Sequence, residues 1–556
     1  MKVRGFRLVV FLLFFQSVAF ADIEQTKITQ VLDTLEAEPL KFETVPRPKE
    51  SEESGLTEAQ KASSVRFTLK SIILTGNTLY SDAEFLPFYK KYINKDISFS
   101  DLNEVTQKIT KKYRKNGYVL SYAMVPKQEV ERGIIVIKVV EGYVAQYVLD
   151  DPQKVCDEKI KYYLNQILRS KPLHQDVLEH NLLLIRHLFG VEVQTTFTPS
   201  TKALNATDLI VKLSRQKTTI TVAANNDQVN SLGPWMGIAQ SRINNVTNHH
   251  DYLEAGGASS PNTTDFHALF AKYEVPVGYG GETVKIQGNQ ARSNPSGTLA
   301  PNDIVSREMD GKVVFRKPVI LERDQMLSFQ GGMGAQNVKS MSATGISRYT
   351  DKTRSLLFGM RYELSDAFLG SNQLDAEFSY GLNAIGASDQ GPLRSRLNGT
   401  ANYTRLTFSF DRLQQLNFLM DNLALLFSMQ GQYAGATLLS AQRFGVGGSE
   451  NRAYAPGALT GDSGLQGRLE LQYRIPFDSF FRDIMFLAFY SNSHIWNRAP
   501  STDESSTDSA KGLGGGVRVS LGARGSMYLI YGRPMRHMLV GSPVKDKFYF
   551  GINYTI

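Results

Sequence analysis

The sequence predicts a chain in two parts, a compact α/β portion followed by an antiparallel transmembrane β-barrel of about sixteen strands. Three observations carry this prediction. The amino terminus reads as a secretory leader, which makes the protein an exported one. An order of strand, helices, strand, strand occurs twice between residues 65 and 216. Beyond Thr218, helical periodicity gives way to short alternating stretches separated by Gly, Asn, Asp and Ser, and these run to the last residue.

The leader spans residues 1–21. Lys2, Arg4 and Arg7 form its positive end, Leu8 to Phe15 its apolar centre, and Ala19-Phe20-Ala21 its small-residue cleavage site. A membrane anchor is the alternative, but about a dozen apolar residues are too few to span a bilayer. No later segment offers 18 consecutive apolar residues, so the sequence predicts no transmembrane helix. The single Cys156 excludes an internal disulfide and a cysteine metal cluster, and no metal or other cofactor is expected. A net charge of +8 is modest for this length, and no basic run carries aromatics, so nucleic-acid binding has little support. The 45 Gly, 25 Tyr and 31 Phe point instead to turns and aromatic-rich strands.

Residues 22–40 place Ile28, Val31, Leu32 and Leu35 at helical spacing, which predicts a short amphipathic helix. Residues 41–64 are polar and charged with two prolines, as suits a flexible linker. The first α/β unit, residues 65–142, opens with a strand over Phe67 to Leu74 and a turn at Gly76-Asn77. A helix is predicted from Asp101 to about Asn116, with Ser100 as its N-cap and Gly117 as its stop. Leu102, Val105, Ile109 and Tyr113 form its buried stripe. Strands follow at Tyr118 to Val125 and Gly133 to Val140. The second unit, residues 143–216, repeats the order. Its strands are Val144 to Leu149, Val191 to Phe197 and Leu209 to Leu213, and its helices Glu158 to Leu168 and Asp176 to Phe189.

From 217 to 556 the strands alternate. In the last, Phe548, Phe550, Ile552 and Tyr554 face one way and Tyr549, Gly551 and Asn553 the other. Apolar and aromatic residues on one side, with small or polar residues on the other, fit a strand between lipid and water. A soluble sandwich is the alternative.

One loop in this region stands out, residues 442–464, QRFGVGGSENRAYAPGALTGDSG. Its final Gly461-Asp462-Ser463-Gly464 spells the tetrad around a serine-protease nucleophile. A nucleophilic Ser needs a His base and a carboxylate to orient it, and none of the eight His sits in a setting that frames such a base. No catalytic residue is predicted, and the chain is read as a non-enzyme. The composition of the loop suits a buried one. Gly447 and Gly448 allow tight turns, Arg452 offers a planar fork of donors, and Tyr454 an aromatic body with a polar tip. A solvated surface loop is the plainer alternative.

Several stretches together resemble a family. Ile73-Leu74-Thr75-Gly76-Asn77-Thr78, Gly117-Tyr118, Val125-Pro126-Lys127-Gln128 and Val140-Glu141-Gly142 resemble the POTRA domains of two-partner secretion outer-membrane transporters, the haemolysin-secretion type. Tyr273-Glu274-Val275-Pro276-Val277-Gly278 resembles the hallmark of that family's early barrel strands, and the 442–464 loop its inward loop between strands eleven and twelve. The resemblance implies an N-terminal plug helix at 22–40, a linker at 41–64, two periplasmic POTRA domains at 65–142 and 143–216, and a sixteen-stranded barrel at 217–556 in the bacterial outer membrane. It implies export of a secreted partner, adhesin- or haemolysin-like. The partner would be recruited by strand addition to the POTRA domains and passed through the lumen without nucleotide hydrolysis. No phosphate-cradling GxxxxGK[ST] occurs in the chain. Outer-membrane lipid and the barrel assembly machinery are the other implied partners.

The inward-loop motif is then Gly447, Gly448, Arg452, Tyr454, Gly461 and Asp462. Two departures from the family pattern bear on it. Ala453 replaces the Gly of the usual Val-Arg-Gly-Tyr tip, which requires a backbone outside positive φ. Ser491 takes the place of the Asp that meets the loop arginine on the inner wall, so it becomes the wall-partner candidate. Either another carboxylate substitutes for that Asp, or neutral hydrogen bonds hold the loop. A barrel assembly or insertion factor of the same superfamily, and a passive diffusion pore, are the alternative functions.

Overall fold

A computed structural model describes residues 66–536, apart from breaks at 131, 152–156, 204–205, 230–231, 296–303, 343–344, 389–392, 478–479 and 502–503, together with 538–539 and 542–556. The leader, the plug helix and the linker read from the sequence lie outside the described residues, as does Cys156. The described chain falls into two units that meet at Arg215 and Gln216.

The first unit begins with β1 (Arg66–Leu69) and β2 (Ser71–Thr75). The single strand expected over Phe67 to Leu74 is therefore two. Lys70 N–H donates to Gly133 O at 2.8 Å, and the chain changes sheet there. β1 pairs with β3 (Lys95–Ser98), Phe67 opposite Ile97, while β2 runs parallel to β5 (Ile134–Val140), Ile73 beside Val136. Between them lies α1 (Asp82–Tyr89), which the sequence reading missed. It contains Pro87 and is too short to show a stripe.

The main helix, α2, is Phe99–Lys115 and starts two residues before the expected position. Ser98, not Ser100, is the N-cap. Asp101 stands at the third helical position, and its carboxylate accepts from Ser98 N at 2.8 Å while Ser98 Oγ accepts from Asp101 N at 3.4 Å. Leu102, Val105, Ile109 and Tyr113 are fully buried against Ile135 and Ile137 of β5. Gly117, at φ +84°, ends the helix as expected. The strand expected over Tyr118 to Val125 shrinks to β4 (Tyr122–Met124), because Tyr118 N and Ser121 N remain in turn bonds to Tyr113 O and Tyr118 O. β4 pairs antiparallel with β5 and stops before Pro126, which has no N–H to offer. Beyond that end the Gln128 amide takes over. Its Nε2 donates to Val136 O and its Oε1 accepts from Val136 N, both at 2.8 Å.

β6 (Val144–Asp150), α3 (Glu158–Arg169), α4 (Gln175–Arg186), β7 (Val191–Pro199) and β8 (Thr207–Arg215) repeat this plan. The sheet order β6-β8-β7 matches β2-β5-β4, with the last strand central, parallel to the first and antiparallel to the other. The two repeats touch at the glycines of the sequence motifs. Gln175 N donates to Gly117 O at 2.8 Å and Leu173 N to Gly142 O at 2.9 Å. A Cβ on Gly117 would lie 2.5 Å from His174 Nε2.

In the second unit, sixteen strands among the described residues close into one antiparallel barrel, from Thr218–Asn225 to Lys547–Thr555. The closing seam pairs Gly551 with Asn225 through Thr555 with Thr221. No helix among the described residues is long and apolar enough to cross a membrane; the crossing elements are strands. The strand Ile304–Leu321 shows the pattern. Met309, Val313 and Phe315 are exposed on the outer face, whereas Glu308 and Asp310 are buried on the inner one. This strand thus turns an apolar face to lipid and a polar face to the lumen.

Candidate functional site: the inward loop and its wall

The loop joins strands Leu423–Ala434 and Ser463–Pro476 and forms a hairpin in which Phe444–Val446 pairs with Leu459–Gly461. Gly447 (φ +111°) and Gly448 (φ +73°) turn the chain into the tip, where a Cβ on Gly447 would lie 2.0 Å from Ala455 O. Gly448 N donates to Tyr454 O at 3.1 Å, and Tyr454 N to Asn451 O at 3.0 Å, which folds residues 448–454 into a compact turn. Ala453 stays out of the left-handed region and is fully buried, so its methyl group is accommodated without strain.

The wall makes room for this tip. A Cβ on Gly532 would lie 2.3 Å from Arg452 O, and one on Gly512 would lie 2.1 Å from the Ala453 Cβ. Two glycines on neighbouring strands, Thr507–Leu521 and Gly525–Pro534, thus form a shallow seat for the loop. Tyr454, also fully buried, donates its hydroxyl to Lys511 O at 3.0 Å, and its carbonyl accepts the Tyr549 hydroxyl at 3.0 Å.

Arg452 finds a carboxylate, but not where the family pattern puts one. Its Nη1 lies 2.6 Å from Glu470 Oε2, and its guanidinium stands 5.5 Å from the centre of the Phe489 ring. Glu470 also meets Arg468 Nε at 3.3 Å and accepts from Gln472 Nε2 at 2.7 Å. Arg468 in turn lies 3.6 Å from Glu450 of the loop and donates to Ser449 O. Loop and wall therefore interleave as Glu450, Arg468, Glu470 and Arg452, alternating in sign and all buried. Water is largely excluded from the pair, which strengthens each contact and makes an unpartnered charge costly.

Ser491, the wall-partner candidate, does not contact Arg452. Its Oγ donates to Asn451 Oδ1 at 2.7 Å, and Asn451 Nδ2 donates to Ser493 Oγ at 2.9 Å and to Ala510 O at 3.2 Å. The register explains the correction. Ser491 is opposite Arg468, and Glu470 is opposite Phe489 on the preceding strand. Both alternatives left open by the sequence are thus realised, a substitute carboxylate for the arginine and neutral bonds for its neighbour. A signal for Glu470 was present. Gln466, Arg468, Glu470 and Gln472 alternate with Leu465, Leu469 and Leu471, which marks the charged set as lumenal.

Asp462 and Gly461 lie at the root of the loop, away from the tip. Asp462 is fully buried, and its Oδ1 accepts from Arg396 Nη1 at 2.6 Å and from Leu438 N at 2.8 Å. A Cβ on Gly461 would lie 2.8 Å from the Ile495 Cβ. Ser463 accepts the Ala434 N–H at 3.0 Å, so the protease-like tetrad ties the loop's second leg to the barrel. On the first leg, Gln442 accepts from Arg405 Nη1 at 2.7 Å and donates to Gln336. Among the described residues no group of His, Cys, Asp and Glu is placed to hold a metal.

Comparison with known proteins gives one family over most of the chain. Residues 67–142 match the POTRA domain of ShlB type, and residues 205–519 match the haemolysin secretion/activation protein ShlB/FhaC/HecB family. Similar proteins include the heme/hemopexin transporter protein HuxB of Haemophilus influenzae (strain 86-028NP), 23% identical over 74% of both chains. Another is the outer membrane transporter CdiB of Dickeya dadantii (strain 3937), 20% identical over 82% of this chain and 81% of the relative. Among solved structures, CdiB from Escherichia coli superposes with a TM-score of 0.72 over 97% of this chain and 98% of that one, at 18% identity.

Proposed function

This chain belongs to the haemolysin secretion/activation protein ShlB/FhaC/HecB family, and from that premise we propose a route for its cargo. The protein is an outer-membrane transporter of two-partner secretion, with its POTRA domain in the periplasm and its barrel strands in the membrane. The partner arrives unfolded and is held by strand addition to residues 65–142 and to residues 143–216, which we read as a second POTRA domain of the same topology. It then threads the barrel lumen, and the inward loop moves aside to admit it. No nucleotide is hydrolysed; folding of the emerging chain outside the cell biases the direction.

The observation that carries the lumen route is the polar seating of the loop. The hairpin is held at its tip by Arg452–Glu470 and by wall groups that water can also satisfy, beside a small apolar patch in which Val446, Leu459 and Tyr454 pack with Ile495 and Ala510. The partner is a secreted protein, adhesin- or haemolysin-like, and the barrel reaches the membrane through the assembly machinery that handles other outer-membrane barrels.

The test is a photo-crosslinking amino acid placed at Asn289, which faces the lumen and bonds Asp310 at 3.1 Å, or at Ile286 on the lipid face of the same strand. A partner stalled in transit should crosslink at position 289 and not at 286. Crosslinking only from the lipid face would exclude the lumen route.

A further inference from the structure

We propose that the outer mouth of the barrel is closed by an ion-pair latch centred on Arg396, which has to part each time a chain leaves. The latch rests on the lumen route proposed above. The described parts of three connections meet at one end of the barrel: residues 382–388 and 393–403, the root of the inward loop, and residues 497–501 and 504–506. They follow the ninth, eleventh and thirteenth strands, so they lie at the end opposite to the start of the first strand.

A chain of alternating charges links them. Asp462, on the loop root, pairs with Arg396 Nη1 at 2.6 Å, and Arg396 Nη2 reaches Glu504 Oε2 at 2.9 Å. The second oxygen of Glu504 lies 3.1 Å from Arg443 Nη1, back on the first leg of the inward loop. The path Asp462, Arg396, Glu504, Arg443 thus leaves the inward loop, crosses two other connections and returns. Hydrogen bonds reinforce it. Arg396 Nη1 donates to Leu438 O at 2.8 Å, Thr400 N to Thr437 O at 3.0 Å, and Ser440 N to Ser395 Oγ at 2.9 Å.

Burial shows what this does. Ser395, Ala401, Leu438, Leu439 and Asp462 have no exposed surface, although they sit at the mouth of a polar lumen. The loops pack closely against one another there. None of these contacts lies at the tip, where Arg452 meets Glu470, so releasing the tip leaves the mouth shut. The choice of groups also suits a part that opens. Charged and amide partners can exchange one another for water as the loops separate, and the apolar surface exposed with them is the small one of Ala401, Leu438 and Leu439.

Thr400 and Leu438 are bridge partners on two of these connections, which allows the latch to be welded. Thr400→Cys with Leu438→Cys, in a Cys156→Ser chain, should lose secretion when oxidised and regain it on reduction. The stalled partner should still crosslink at position 289, because the chain enters and cannot leave. Conversely, Arg396→Ala should raise conductance in planar bilayers while heat-modifiable gel mobility stays that of a folded barrel. Normal secretion from the oxidised pair, or unchanged conductance in Arg396→Ala, overturns the latch and leaves the lumen route standing. Absence of the position-289 crosslink from every form, the reduced one included, removes the lumen route and the latch with it.

Discussion

Leu102, Ile109 and Ile135 in the POTRA domain and Glu470, Asp462 and Ser491 in the barrel share one property, a solvent exposure of zero. Their chemistry is opposite. In the POTRA domain burial means apolar side chains brought together out of water, worth about 25 cal/mol per Å² of apolar surface removed. Inside the barrel, burial also means polar side chains gathered away from lipid, as Glu470 with Arg452, Asp462 with Arg396 and Ser491 with Asn451 are. Many large apolar residues of the barrel strands face outward, as Leu469 does beside inward Glu470 on one strand, and the apolar groups inside form small separate clusters. The difference teaches that the same low exposure is obtained under two solvents, and that substitutions should fail differently in each region.

The largest effect should come from Glu470. Glu470→Ala leaves Arg452 without its carboxylate and Arg468 with only Glu450, and breaking a buried pair costs about 3–5 kcal/mol. We expect secretion to be lost while heat-modifiable mobility persists, with the 443–462 loop newly open to protease. Adding Ser491→Asp should recover part of the secretion, since that position faces Arg468. A Glu470→Ala protein that fails to fold would show that the lumen charges build the barrel itself, which would narrow the contrast with the POTRA core.

Leu102→Ala should destabilise the POTRA domain by about 2–5 kcal/mol through a cavity beneath α2. All α-helices among the described residues lie outside the barrel, α1 and α2 in this domain and α3 and α4 in the repeat after it, so the helical circular-dichroism signal reports melting of the α/β part separately from the barrel. A lowered helical melting temperature with an unshifted barrel transition is expected; a joint shift would mean that the two regions unfold as one.

On the lipid side, Leu469→Arg should cost about 2–4 kcal/mol if its position lies near the bilayer midplane. The measurement is the folded fraction in lipid vesicles across a urea series. A wild-type midpoint would place Leu469 away from lipid.

The smallest effect concerns acid. Glu141 accepts from Thr78 N at 2.7 Å, Leu79 N at 3.0 Å and the Tyr113 hydroxyl at 2.7 Å. Burial pushes its carboxyl up, but these bonds outweigh burial and hold it below the ordinary 4.5. Its contribution is therefore complete above about pH 5 and is lost as pH falls through the lowered value, because the unfolded chain takes up the proton first. The helical melting temperature should drop on acidification below that point, and Glu141→Gln should flatten the drop.

Much of this was legible in the sequence, for physical reasons that also mark where legibility ended. The α2 stripe and the strand alternation are local periodicities, and each solvent imposes its own. The cap of α2 was legible too, yet misread. Ser98 and Ser100 are both cap residues, and only the spacing of Ser98 to Asp101 distinguishes them. The loop motif gave Arg452 and Tyr454, but not the partner of Arg452. Glu470 lies eighteen residues further on, and which wall residue meets the tip depends on strand register. Arg396 and Glu504 lie 108 residues apart and share no motif, so nothing in the sequence connects them.

The Gln128 amide has a consequence for how the first sheet meets other chains. An uncovered strand margin is adhesive, and in a crowded compartment it can seed polymers of the protein that carries it. At Val136 both main-chain groups are already taken by Gln128. A foreign strand arriving there would have to evict the side chain and would gain no bond in exchange. The sheet is thereby rationed, closed to casual contacts beside Pro126 and open only along its remaining margins, and a single glutamine draws that border.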